Sequence, residues 1–185
     1  CRGGSRSYPS PDGSGTGSNY AITVYGSSAE VTLDHVTAYS EGSSGENIGI
    51  GALSGSYMAL NNVRSTAKGG NSWASAIISY DSGSFADVRN SVAVADGGGT
   101  TEAVSCGADG IVTGSVIQAK NGSNNTFGSH HCTIMNSEVR STSSQGSAYV
   151  ASGGDIASSL LEGTVSTGPT IVNCWDETFT AITDQ

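Results

Sequence analysis

Short segments in which apolar and polar residues alternate recur through most of the chain. The clearest set reads VTLDHVTAYS from Val31, MALNNVRSTA from Met58, ADVRNSVAVA from Ala86, GIVTGSVIQA from Gly110 and CTIMNSEVRS from Cys132. These segments begin 27, 28, 24 and 22 residues apart, and weaker copies begin at Asp155 and Thr170. Alternation over about four to six residues predicts short strands that bury one face.

A second set of apolar segments lies between the first, and each follows a glycine- and serine-rich turn. These segments read ENIGIGALSG, SWASAIISYDSG, TEAVSCGADG and, more weakly, QGSAYVASGG. One repeat therefore holds two or three strands, and similar strands, about 25 residues apart, must stack on one another in parallel at ~4.8 Å. The pattern predicts an all-β fold: a single-stranded right-handed parallel β-helix of about six to seven coils, each with 22–28 residues.

Other repeat folds and a sandwich explain the pattern less well. The 27 glycines would break helices longer than a turn or two, which argues against helical and leucine-rich solenoids. A β-sandwich explains the alternation but not an asparagine that recurs at one position of the repeat. Residues 1–19, rich in Gly, Ser and Pro, are predicted to be a flexible lead, and residues 20–185 the β-helix.

Both ends of a stack of parallel strands need a cap, because bare strand edges invite aggregation. We predict a C-terminal cap at about residues 170–185. Trp175 and Phe179 are the large side chains expected to plug this end of the core. At the other end, the candidates are residues 20–25 or a preceding part of a longer polypeptide.

Several segments resemble a known family. NNVRSTAKGG at 61–70, NSVAVADGGG at 90–99 and VTAYSEGSSG at 36–45 are similar to coils of the form T-N-V-T-A-x-A-x-G-G, and VNCWDETFTAI at 172–182 is similar to a closing segment. These are features of the pectin-lyase-like superfamily of right-handed parallel β-helices, especially bacterial repeat proteins and phage tail-spike shafts. The resemblance spans about residues 20–185 and implies the fold, and the phage spikes suggest trimers. It implies no single activity, because this superfamily includes lyases, hydrolases, adhesins and shafts.

Charge narrows the list of partners. Seven Lys and Arg residues against 16 Asp and Glu give a net charge of −9, and charged residues make up only 12% of the chain. No basic stripe is present that could neutralise nucleic-acid phosphates or dock on anionic membranes. No apolar run reaches the ~18–20 residues of a membrane span. A surface of Ser, Thr, Asn and Gly instead suits water or sugars.

The four cysteines fit no zinc or redox spacing, and with so few charges they favour secretion. Cys106 and Cys132 are 26 residues apart, roughly one coil, so a disulfide between them is one candidate pairing. Cys174 is expected to be buried and free. Cys1 is either a lipid-anchored mature terminus or a cleavage boundary.

One ladder of stacked side chains is predicted at the fifth position of the repeat. In a stack, each side-chain amide can donate to the carbonyl oxygen of the next coil, which gives the ladder a structural role. Gly114 replaces the side chain in one coil. The other members are His35, Asn62, Asn90 and Asn136.

A second ladder carries alternating charge just after the repeated strand. Its spacings of 27, 28 and 24 residues match the coil, and Lys68 should lie between Glu41 and Asp96. Exposed pairs of this kind contribute at most ~1 kcal/mol each, so they set register more than stability. The members are Glu41, Lys68, Asp96 and Lys120.

No arrangement of residues matches a catalytic or cofactor-binding pattern. Hydrolases on this fold need paired carboxylates ~5–9.5 Å apart, whereas most acids here stand alone, although acids from different coils could converge. Successive side chains on a strand face opposite ways, so His130 and His131 are predicted to form a turn entry and not a metal site. Asn121 and Asn124 begin formal glycosylation sequons, which also read as a turn.

The leading interpretation is a non-catalytic shaft, filament subunit or adhesin at a cell or particle surface, with self-association into filaments or trimers. The alternative is a glycan-binding or polysaccharide-degrading domain on the same fold. Tyr39, Trp73 and Tyr80 are candidate sugar contacts, with burial in the core as the competing explanation for each.

Overall fold

The computed structural model describes residues 17–80, 83–107, 110–166, 168–176, 178 and 180–182. Over these ranges the chain folds into 22 strands without a helix. It follows that the described segments include no helix long and apolar enough to cross a membrane. The first strand begins at Ser18, inside the segment that the sequence assigns to the lead. Cys1 lies outside the described residues.

The strands form three sheets, and each sheet takes one strand from each successive coil. Sheet A contains β1 Ser18–Tyr25, β4 Glu46–Leu53, β7 Trp73–Ser79, β10 Thr100–Ser105, β13 Asn125–His130, β16 Ser147–Ser152 and β19 Thr164–Val165. Sheet B contains β2 Glu30–Asp34, β5 Tyr57–Asn61, β8 Phe85–Arg89, β11 Ile111–Thr113, β14 Thr133–Met135, β17 Ile156–Ala157 and β20 Ile171–Val172. Sheet C contains β3 Thr37–Glu41, β6 Arg64–Lys68, β9 Val92–Asp96, β12 Val116–Lys120, β15 Glu138–Thr142, β18 Leu160–Glu162, β21 Cys174–Asp176 and β22 Ala181–Ile182.

Neighbouring strands within each sheet are parallel, except that β22 runs antiparallel to β21. Lys68 lies opposite Asp96, and Asp96 opposite Lys120, so equivalent positions of the repeat form continuous columns. The prediction of an all-β chain whose similar strands stack in parallel is therefore confirmed. The arrangement is consistent with a parallel β-helix.

Stacked apolar columns fill the core. In sheet B a single column of branched side chains passes through every coil: Leu33, Leu60, Val88, Val112, Ile134, Ile156 and Ile171. Leu60, Val88, Val112 and Ile134 are at most 1% exposed. Burying one such side chain fully contributes roughly 1.5–3 kcal/mol, so this column, with one branched apolar residue per coil, contributes to the stability of the core at every level of the stack.

Sheet A bends at one column, where the pairing of neighbouring strands is interrupted. The bend falls at Ala76, between the paired positions Ser75 and Ile77 of β7, and recurs at equivalent positions of the other strands. Ala76 and Ile77 both pack in the core, although they are neighbours in the chain. Two consecutive inward residues break the alternation of a flat strand and turn its outer face concave. The column is small in the first five coils, with Ala21, Gly49, Ala76, Ala103 and Gly128, and continues in β16 with Val150.

The C-terminal end differs from the prediction. Trp175 is 40% exposed and faces outward, because Cys174 beside it points into the core and successive side chains on a strand alternate. Ile182 on the returning strand β22 packs against the core. The Asp176 carboxylate fixes the turn before β22 by accepting hydrogen bonds from the backbone N–H groups of Thr178 and Thr180, at 2.9 and 2.8 Å. Phe179 lies outside the described residues.

Candidate functional site

A groove of about 660 Å³ lies on the outer face of sheet A. Strands β7, β10 and β13 and the turns that follow them supply its lining. The side chains that give it chemical character are Trp73, Tyr80, Glu102, His130 and His131. The bend of sheet A creates this groove, because it tilts the two ends of each strand toward one another.

Two aromatic rings meet over strand β7. The ring centroids of Trp73 and Tyr80 are 5.9 Å apart, in an edge-to-face arrangement. Seven residues of straight strand would hold their backbones ~23 Å apart. The rings meet because the strand bends between them. Tyr80 is 52% exposed, so an aromatic surface faces the solvent at this end of the groove.

A buried carboxylate lies one coil further along. The side chain of Glu102 is only 2% exposed, and its Oε1 atom lies 3.2 Å from Nδ1 of His130. The His130 ring stacks on Phe127, with centroids 5.3 Å apart and planes 13° from parallel. Phe127 in turn stacks on Tyr149 of the next coil. This stacking holds the imidazole against the carboxylate.

Buried polar atoms without hydrogen-bond partners are also concentrated in the residues of the groove. Among the described residues, three buried side-chain nitrogen or oxygen atoms have no hydrogen-bond partner: Nε1 of Trp73, Oγ of Ser79 and Oε2 of Glu102. All three residues line the groove. Buried polar atoms in native proteins are nearly always paired, so unpaired atoms that gather in one depression indicate a binding site.

The two neighbouring histidines lie on the same side of the chain, contrary to the argument from strand alternation. Their ring centroids are 4.2 Å apart, and both residues line the groove. Strand β13 ends at His130, and His131 has a φ of 52°, which ends the alternation. Burial and the neighbouring His130 lower the pKa of His131. Within the ranges described, no three His, Cys, Asp or Glu side chains are grouped in a way that could hold a metal ion.

The three aromatic residues that the sequence suggested as sugar contacts separate into two places. Trp73 and Tyr80 both line the groove. Tyr39 is 56% exposed but lies on sheet C, where its hydroxyl donates a hydrogen bond to Glu41. Tyr39 is therefore outside the groove.

The asparagine ladder occupies equivalent turn positions, but its hydrogen bonds differ from those expected. Asn62 Nδ2 donates to Asp34 Oδ1 at 3.3 Å, and Asn90 Nδ2 donates to Asn61 Oδ1 at 3.1 Å. The amides thus bond to side chains at the end of sheet B and not to the stacked carbonyl. Backbone conformation explains the recurrence, because left-handed φ values favour Asn and Gly. These values are His35 55°, Asn62 52°, Asn90 48°, Gly114 59° and Asn136 49°.

The charged column forms two direct ion pairs. Lys68 lies opposite both Glu41 and Asp96, with its Nζ atom 3.2 Å from Glu41 Oε1. Lys120 Nζ lies 3.3 Å from Asp96 Oδ2. A hydrogen bond from Lys68 is among the causes that lower the pKa of the exposed Glu41 carboxyl, after one from Tyr39.

One disulfide joins two neighbouring coils. Cys106 and Cys132 form a disulfide between residues 26 apart, with Cα atoms separated by 5.1 Å. Cys174 is buried and free. Burial raises the pKa of its thiol.

Sequence reasoning missed two features. The first is a column of three stacked serines, Ser91, Ser115 and Ser137. The Oγ atom of each serine donates a hydrogen bond to the carbonyl oxygen two residues earlier and accepts one from a backbone N–H of the preceding coil. Its signal was a Ser directly after Asn90, Gly114 and Asn136. The second is Glu102, whose signal was one acid inside the buried segment TEAVS.

No family model matches this chain, and the comparisons with curated proteins and with solved structures found no match. What the groove binds must therefore be inferred from its own chemistry.

Proposed function

We propose that this chain is a non-catalytic, adhesive β-helix of a cell or particle surface that binds glycans in the groove of sheet A. The observation that carries the proposal is the grouping of the Trp73 and Tyr80 rings with three unpartnered buried polar atoms. Aromatic faces pack against the C–H faces of sugar rings, and the polar atoms are placed to exchange hydrogen bonds with hydroxyls. An open groove on a rod admits an extended chain of sugars.

The surrounding features support the same proposal. Among the described residues that line the groove, Glu102 supplies the one carboxylate. Hydrolysis on this fold needs two carboxylates ~5–9.5 Å apart. The disulfide between Cys106 and Cys132 suits an oxidising, extracellular compartment. We further propose a right-handed coil, because crossovers between parallel strands are right-handed in about 98% of cases. A place among the pectin-lyase-like β-helices is proposed on the sequence resemblance alone.

A glycan array with the wild-type chain tests this function. We expect binding to a restricted set of oligosaccharides and a loss of about fivefold or more in affinity in Tyr80→Ala, since stacking contacts of this kind contribute ~1 kcal/mol or more. Tyr39→Ala is the matched control, because Tyr39 is equally exposed but lies on another sheet. Absence of binding to any glycan, or equal losses in both variants, would refute the proposal.

A purely structural filament is the second candidate, and the columns that link the coils favour it. The ion pair of Lys68 with Glu41, the disulfide and the serine column all bond one coil to the next along the axis of the stack. Negative-stain electron microscopy with light scattering separates the two candidates. Long filaments in stain, with a ~4.8 Å layer reflection in fibre diffraction, would support a structural role. Discrete monomers or trimers would favour the adhesin.

A further inference from the structure

The Glu102 carboxylate lacks a complete set of partners in the described part of the chain. Its Oε1 atom faces Nδ1 of His130, while Oε2 is buried and unpartnered. The side chain is 98% removed from solvent, since only 2% remains exposed. Burying a carboxylate is costly unless a donor or a cation completes its shell. The groove therefore offers an incompletely satisfied negative group to a ligand.

Two aromatic rings line the same groove. Trp73 and Tyr80 meet edge to face, and Tyr80 is 52% exposed, so part of this aromatic surface is open to a ligand. The negative face of an indole or phenol ring attracts ammonium groups, and tryptophan is the strongest of the aromatic residues in this respect. A carboxylate together with aromatic faces is the combination that recognises an amine in preference to a hydroxyl.

From this combination we propose that the groove selects a protonated amine, so that its preferred ligands are oligosaccharides of amino sugars with free amino groups. This inference deepens the proposed glycan-binding function and rests on it. The amine hydrogen-bonds to Oε2 of Glu102 and lies against the aromatic rings, and neighbouring side chains must move to admit it because Oε2 is buried in the unliganded groove. The unpartnered Nε1 of Trp73 and Oγ of Ser79 bond to hydroxyl oxygens of the same or the adjoining sugar.

The charges around the groove agree with a cationic ligand. The described residues that line it include neither lysine nor arginine, and its basic residues are His130, which already faces Oε1 of Glu102, and His131. The whole chain carries a net charge of −9, which attracts cations from a distance. A neutral sugar offers no cation to Oε2 of Glu102, and a uronate sugar places a second negative charge beside it.

Titration calorimetry with three tetrasaccharides of the same linkage tests the amine preference: glucosamine, N-acetylglucosamine and glucose. The titration is run below the pKa of the glucosamine amines, so that this tetramer is cationic. We expect the glucosamine tetramer to bind at least about tenfold more tightly than the other two, as a hydrogen bond to a charged group implies. In Glu102→Gln, which keeps the shape and removes the charge, the preference for the glucosamine tetramer over the glucose tetramer should disappear.

The outcomes separate this inference from the function on which it rests. Equal binding of the glucosamine and glucose tetramers to the wild-type chain would overturn the amine preference and leave glycan binding intact. Binding of none of the three, together with an array without hits, would refute both.

A second measurement on the wild-type chain covers the case in which Glu102→Gln fails to fold. Salt should weaken binding of the glucosamine tetramer and leave the glucose tetramer unaffected. Glucosamine binding that is indifferent to salt would overturn the inference.

Discussion

The rings of Trp73 and Tyr80 lie 5.9 Å apart at their centroids, although they stand at opposite ends of one strand. This contact requires strand β7 to bend at Ala76, and the same bend recurs in the neighbouring coils. Small residues at the bend let the strand approach sheet C. The shape of the groove therefore depends on residues that do not line it.

Gly49 in the bend column tests this dependence. A Cβ atom added to Gly49 would lie 2.6 Å from the carbonyl oxygen of Ala76, which cannot move without disturbing the sheet. We expect Gly49→Ala to destabilise the fold by about 1–3 kcal/mol, the usual cost of overpacking. Gly17→Ala is the control, since nothing lies within 4 Å of its Cβ position. Urea unfolding measures both, and equal stability of the two variants would contradict the role of the bend.

The serine column should contribute measurably to stability. The Oγ atom of Ser115 accepts the backbone N–H of Ser91 at 3.1 Å and donates to the carbonyl of Thr113 at 2.9 Å. Ser115→Ala leaves a buried N–H unpaired, so we expect a loss of about 1–3 kcal/mol in urea unfolding. Ser123→Ala, at an exposed position, should be nearly neutral. A neutral Ser115→Ala would show that the column adds nothing.

The left-handed turn column predicts which substitutions are tolerated. Asn136 has a φ of 49°, and Gly114 occupies the equivalent position of the preceding coil. Asn136→Gly should therefore keep the stability almost unchanged. Asn136→Val should lower it by about 1–2 kcal/mol, because a β-branched residue resists this conformation. Thermal unfolding distinguishes them, and equal melting temperatures would exclude a backbone origin for the column.

Reversal of one charge tests the charged column. Lys68→Glu places a carboxylate between Glu41 and Asp96, so we expect a lower melting temperature in low salt and a smaller difference in high salt. The double variant Glu41→Lys/Lys68→Glu restores a pair of opposite charges and should recover part of the loss. An unchanged melting temperature for Lys68→Glu in low salt would count against the column.

The stability of the protein should fall in mildly acidic solution because of His131. Desolvation and the neighbouring His130 hold the pKa of His131 below its ordinary value in the folded chain, and the effect on stability is small because the residue is exposed. As pH falls, the unfolded chain therefore takes up this proton first, at about pH 6.5. The stabilising contribution is complete above that pH and is lost below it. His131→Asn, which tolerates the positive φ, should flatten the decline in melting temperature between about pH 7 and pH 5.5; an unaltered decline would assign it to other groups.

The repeat itself determined the layers of the fold. Strands about 25 residues apart with the same alternation can pair only in parallel, so the columns of Lys68 with Glu41 and of Asn62 with Asn90 follow from counting along the chain. The same counting placed Cys106 and Cys132 about one coil apart, and the structure joins them. Local rules were enough because each coil contacts mainly its neighbours.

Tertiary structure alone decided which polar and aromatic side chains come together in the groove. Period-two alternation assumes a straight strand, so it missed the bend that brings Trp73 to Tyr80 and the turn that places His131 beside His130. In β21, by contrast, alternation does predict the observed orientation: with Cys174 in the core, the next residue, Trp175, must face outward. Glu102 looked like one isolated acid, because its partner His130 belongs to the next coil and its burial depends on rings from two coils. Repetition along the chain fixes which residues stack, whereas curvature of the sheet, a property of the whole stack, fixes which side chains converge.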